Sequence, residues 1–226
     1  LRRVGSDTTA EALLRGAHAS AVLAGSPSTL EQVRRGEGDP LAAGAVRMTG
    51  ELMGLAPQAG TAPIRVWTRL HQLAAADLGP ADQLGHLRTS REPLPDDIPG
   101  LPPAPPAEEM WERLSGLAKA LTAPTSAPGL VVAAIVHAEL AVLRPFPTAN
   151  GLVARAAERV VLVARGIDQV AVTVPEAGHL ELGASYPGAL TDYAVRGVTG
   201  VQSWLLRECE VIALAAERSP LNFSAQ

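Results

Sequence analysis

The residues best suited to chemistry lie in the stretch LRPFPTANGLVAR, residues 143–155. Asn150 and Gly151 stand where a Pro- and Gly-bearing turn gives way to an apolar helical pattern. A helix start presents unpaired N–H groups and a partial positive charge, and together these attract phosphate. Arg155 lies one turn further in, close enough to reach back over the turn. With Arg144 and Thr148 alongside, the candidate ligand-binding set is Arg144, Thr148, Asn150, Gly151 and Arg155. A proton acceptor is missing. A guanidinium stays protonated at physiological pH, and Thr148 offers Mg²⁺ only a neutral hydroxyl where that ion favours charged oxygens. Three readings stay open at this level: an active site, the remains of one, or a turn between helices with a suggestive spelling.

Other chemistry is thinner. His137, Glu139 and Glu158 are alternative proton-transfer groups, although a histidine in an apolar helix is most often a satisfied core residue. The histidines, His18, His71, His86, His137 and His179, show no ligand spacing, and with Cys209 as the lone cysteine no metal site is expected. There is no Gly-rich dinucleotide fingerprint after a strand and no nucleophile-elbow pattern.

The elements that must position the turn are helical. Apolar spacing predicts helices at 8–23, 41–55, 64–76, from 107 with an inner stripe of Trp111, Leu114, Leu117 and Leu121, at 131–143, 152–165, 186–193 and 198–218. A short helix after Ser28 is expected to use Ser28 and Glu31 as a capping box, and Gly166 to stop the helix before it. The run 131–143 is apolar almost all round, which marks a central buried helix. The segment REPLPDDIPGLPPAPPAEE (91–109) contains seven prolines and can be neither a regular helix nor a central strand. No strand pattern is strong enough to support a sheet, so the expected class is all-α with at most a short β-hairpin flap.

The composition fits. Nearly half of the 226 residues are apolar and few are aromatic, so Ala, Leu and Val must build a closely packed helical core. A net charge of −4 without a basic block excludes a broad nucleic-acid-binding surface. The longest apolar run is too short for a bilayer span. One cysteine and no charged-then-apolar start point to a reducing cytoplasm.

The segment RPFPTANGLVAR resembles, without a gap, the signature of the Fic family, H-P-F-x-(D/E)-G-N-G-R-x-x-R. GLVVAAIVHAEL and ERVVLVARGI resemble the helices on either side of it. Around these, ALLRGAHASAVLAGSPSTLEQV, IRVWTRLHQL, GHLR, YPGALTDY and GVQSWLLRECEVI are similar to further family segments, so the likeness covers most of the chain. It implies one domain over 1–226. Residues 1–38 would form an N-terminal segment like a degenerate inhibitory helix, 91–106 a proline-rich flap or loop that could block the cleft, and 131–165 the core motif helices.

In active members the motif histidine takes a proton from a target hydroxyl, which attacks the α-phosphate of a nucleotide. Arg144 replaces that histidine, Thr148 the Mg²⁺-holding carboxylate, Ala149 a glycine, and Leu152 an arginine. Pro145, Phe146, Asn150, Gly151 and Arg155 match. In the N-terminal segment Ser20 and Gly25 match, but Ala24 stands where an inhibitory glutamate would pair with the last arginine. The resemblance therefore implies a pseudoenzyme: a binding or scaffold module with no catalytic residue and no assured cofactor. ATP, another nucleotide or a phosphorylated small molecule is its candidate ligand, Mg²⁺ has lost its carboxylate, and a protein is the candidate partner. The alternative is a divergent enzyme transferring a nucleotidyl or phosphoryl group by altered chemistry.

Overall fold

The computed structural model describes residues 5–89, 98 and 100–221. Ten α-helices occur among them, and no strand. They are α1 (Ser6–Leu23), α2 (Leu30–Arg34), α3 (Pro40–Leu55), α4 (Pro63–Ala74), α5 (Ala107–Thr122), α6 (Gly129–Leu143), α7 (Asn150–Ala164), α8 (Pro175–Glu181), α9 (Ser185–Val195) and α10 (Gly197–Glu217).

Local chemistry sets many of these boundaries. Asp39 caps α3 by accepting from the Ala42 N–H at 2.9 Å, with Pro40 pre-set at the first helical position. Proline likewise opens α4 and α8. Gly166, at φ +73°, stops the chain just past α7 as expected. The α2 capping box is one residue later than the sequence spacing suggests. Thr29 accepts from the Gln32 N–H, and the Gln32 side chain accepts from the Thr29 N–H. Ser28 is drawn elsewhere, because its hydroxyl accepts from the Asp39 N–H at 2.9 Å.

The core is built around α6 and α7, which pack along their length. α7 is buried on nearly every side, from Asn150 to Leu162. α1, α3 and α4 cover one flank of the pair, and α9 and α10 the other, with α8 joining α10 to α1. Small side chains let the axes approach. Ala133, Ala134, Ala138 and Ala141 on α6, and Ala154 and Ala157 on α7, are all buried. At the α3–α4 contact Gly44 faces the Ala74 carbonyl so closely that a Cβ would collide with it.

One expected stripe is corrected. On α5 Met110, Leu114, Ala118 and Leu121 turn inward, while Trp111 is 42% exposed. The heavy aromatic ring sits one position off the inner face, and the flexible Met110 fills the core instead. The proline-rich segment is described only at 98 and from 100 onward, where 101–106 has no regular structure. Of the flap expected over 91–106, residues 91–97 and 99 lie outside the described residues. No described helix is long and apolar enough to cross a membrane.

Candidate functional site

The α6–α7 turn is held rigidly by its own groups. Arg144 ends α6 in the left-handed region, at φ +44°, and Ala149 precedes α7 at φ +57°. The turn thus keeps a glycine-like shape at 149 although a Cβ makes it unfavourable by about 1–2 kcal/mol. Asn150 accepts from the Phe146 N–H and donates to the Phe146 carbonyl, both at 2.9 Å, which closes the turn on itself. Phe146 is fully buried and stacks on His71 of α4, with ring centroids 4.3 Å apart.

Arg88 clamps the turn from outside. Its backbone N–H donates to the Pro145 carbonyl at 2.9 Å. Its side chain donates to the carbonyls of Arg144 at 2.8 Å and Leu143 at 3.1 Å. It also donates to the Pro105 carbonyl at 2.6 Å, and the Arg144 guanidinium donates to the Pro102 carbonyl. The end of the proline-rich segment therefore lies against the turn. Burial, and then the neighbouring Arg144 charge, lower the Arg88 pKa.

The five candidate residues share one neighbourhood but do not converge on one space. Arg155 is fully buried. Its Nε donates to the Ser20 hydroxyl and one terminal nitrogen to the Ser20 carbonyl, each at 2.8 Å, while the other lies 3.4 Å from the Tyr186 hydroxyl. Its guanidinium thus fastens α7 to α1. Asn150, Gly151 and Arg144 are buried, and Thr148 is half-buried. Ser20, a matching position of the N-terminal segment, takes up the motif arginine although the following inhibitory position is Ala24.

Two features escaped sequence reasoning. His71 is buried beside the turn, with Nδ1 accepting from the Gly85 N–H at 2.9 Å. Burial draws its imidazole down to about 4, against the raising effect of the Thr148 backbone. A helix-borne histidine on the α4 face toward the motif was the available signal.

The second feature is a polar cluster behind Arg155. His137 (α6) has Nδ1 2.7 Å from Glu158 Oε2 (α7) and Nε2 2.8 Å from the Tyr186 hydroxyl (α9). His179 (α8) and Glu208 (α10) complete it, and all four titratable side chains are buried. Burial opposes charge on Glu158, yet His137 and then His179 hold its carboxyl below the ordinary range. Burial, reinforced by Glu158, pushes Glu208 well above it. Burial draws His179 down to about 3. Beside the cluster Arg159 of α7 lies 3.6 Å from Glu176 and donates to the Ala171 and Thr173 carbonyls at 3.0 Å. Glu139, the remaining proton-transfer candidate, accepts instead from Arg113 at 2.9 Å and Tyr193 at 2.8 Å.

Comparison with known proteins agrees with this geometry. The Fic/DOC family model matches residues 65–162, from α4 to the end of the α6–α7 pair. The fold is similar to a Fic family protein from Desulfovibrio desulfuricans G20, with TM-score 0.74 and 19% identity over 98% of this chain and 69% of that one. It is also similar to two forms of Fic-1 from C. elegans. One has TM-score 0.65 at 14% identity, covering 96% of this chain and 68% of that one. The other has TM-score 0.59 at 17% identity, covering 96% and 69%. At these identities the likeness is one of fold. No curated protein matches the sequence.

Proposed function

We propose that this chain, whose residues 65–162 match the Fic/DOC family, is a catalytically silent member serving as a binding or scaffold module. The observation that supports this reading best is Arg144. It stands where the family signature places its proton-accepting histidine, and its guanidinium is engaged with the Pro102 carbonyl. Loss of a positioned base alone lowers a rate by roughly 10²–10⁴-fold. The engagement of Arg155 by Ser20 removes a second group that would meet a nucleotide phosphate.

On this reading a ligand or partner binds without being modified. A nucleotide or phosphorylated small molecule is the ligand class, through the α7 start, and a protein is the partner class. The test is transfer of labelled AMP from ATP and Mg²⁺ to a proteome by the purified chain. The expected result is no labelling above background, with nucleotide binding by calorimetry in the millimolar range at best. Robust labelling that vanishes in Arg155→Ala would overturn the proposal.

A further inference from the structure

The buried cluster contains ligating atoms that nothing among the described residues satisfies. Glu158 Oε1, both carboxylate oxygens of Glu208 and His179 Nε2 are buried and make no hydrogen bond among the described residues. His179 Nε2 points between the two carboxylates, 3.6 Å from Glu158 Oε2 and 3.7 Å from Glu208 Oε1. One ligating atom from each of His137, Glu158, His179 and Glu208 lies within 4.8 Å of every other. Buried polar groups are almost always paired, so several orphans converging on one point call for a missing partner.

The spacing suits a metal ion. Four ligands at about 2.1 Å in a tetrahedron lie about 3.4 Å apart. The two His179 distances are close to that edge, and the His137–Glu158 contact of 2.7 Å would open by under about 1 Å as the ion takes the place of the shared proton. The four ligands come from α6, α7, α8 and α10 and project into one interior, as carboxylate and histidine sites do in helical bundles.

The surroundings are also appropriate. The Tyr186 hydroxyl faces His137 Nε2 at 2.8 Å, and can accept that N–H when Nδ1 carries the ion. Trp204 stacks on His179 and meets His137 edge-on, fixing both rings. Arg207, 3.4 Å from His179 Nδ1, disfavours a cation and has to turn aside for Nδ1 to carry the proton when Nε2 ligates. Two imidazoles with two carboxylates select against Mg²⁺ and Ca²⁺, which take oxygen alone.

We propose that His137, Glu158, His179 and Glu208 bind one divalent transition-metal ion of borderline character, such as Zn²⁺, Fe²⁺ or Co²⁺, which clamps α8 and α10 onto α6 and α7. This does not depend on the functional reading above. With the ligands wholly buried, the ion enters as the chain folds and is structural.

The test uses the tag-free full chain, purified from cells and also refolded from denaturant with a chelator or with Zn²⁺, Fe²⁺, Mn²⁺ or Co²⁺ singly. Metal per chain is measured by plasma mass spectrometry. The expected result is about one ion per chain, a higher unfolding midpoint than the chelator-refolded protein, and an X-ray absorption spectrum showing two imidazole ligands. Glu208→Gln, which keeps the shape of the side chain, is expected to lower metal content at least about tenfold while helicity is retained. Less than about a tenth of an ion per chain in the wild type under every condition overturns the proposal. So does an ion without two imidazoles, or wild-type occupancy in a folded Glu208→Gln. If that variant does not fold, the wild-type metal content and spectrum decide.

Discussion

The α6–α7 turn and the cluster behind it are neighbours with opposite characters. The turn has the residues that look functional, and nearly all of them are occupied in holding it together: Asn150 with Phe146, Arg155 with Ser20, Arg144 with Pro102. The cluster has residues that look like core substitutions, and it is there that ligating atoms are left without partners among the described residues. Polar groups at a helix-to-helix turn can thus serve as its frame, because they close the backbone on itself. Tyr186 joins the two regions, since its hydroxyl meets both His137 and Arg155.

Removing the group at their boundary should have the largest effect. Arg155→Ala removes the donors to the Ser20 hydroxyl and carbonyl and loosens α1 from α7, and is expected to lower stability by about 3 kcal/mol in denaturant unfolding. A loss below about 1 kcal/mol would mean that the guanidinium is not a structural fastener, and would return it to the ligand-binding side of the comparison.

His71 sharpens the contrast through pH. Its folded pKa, about 4, lies below the ordinary 6.5. Above pH 6.5 both states are neutral and its contribution is complete. As pH falls from 6.5 toward 4 the unfolded chain takes up the proton first, so stability is lost over that window. The contribution is about 3 kcal/mol. His71→Asn keeps an acceptor for the Gly85 N–H, and should flatten the wild-type slope between those limits. An unchanged slope would remove His71 from the turn's supporting structure.

The smallest effect tests the turn alone. Ala149→Gly relieves the positive φ but adds freedom to the unfolded chain, so the expected gain is about 0.5 kcal/mol in thermal unfolding. A loss of stability would show that the Ala149 methyl, which is buried, contributes more by packing than it loses by strain.

The helical class, the central α6, the turn at 144–151 and the stop at Gly166 were legible in the sequence, because each depends on residues within a turn or two of one another. Small errors came where two local solutions compete. Ser28 and Thr29 can both cap, and the hydroxyl of Ser28 was claimed by Asp39. Trp111 and Met110 can both face inward, and the surrounding helices admitted the narrower side chain. The occupation of Arg155 by Ser20, and the meeting of His137, Glu158, His179 and Glu208, were decided only in three dimensions. Their partners lie on different helices far apart in sequence, where no periodicity operates. The direction of each side chain is fixed by which helix packs on which, and local spacing does not encode that choice.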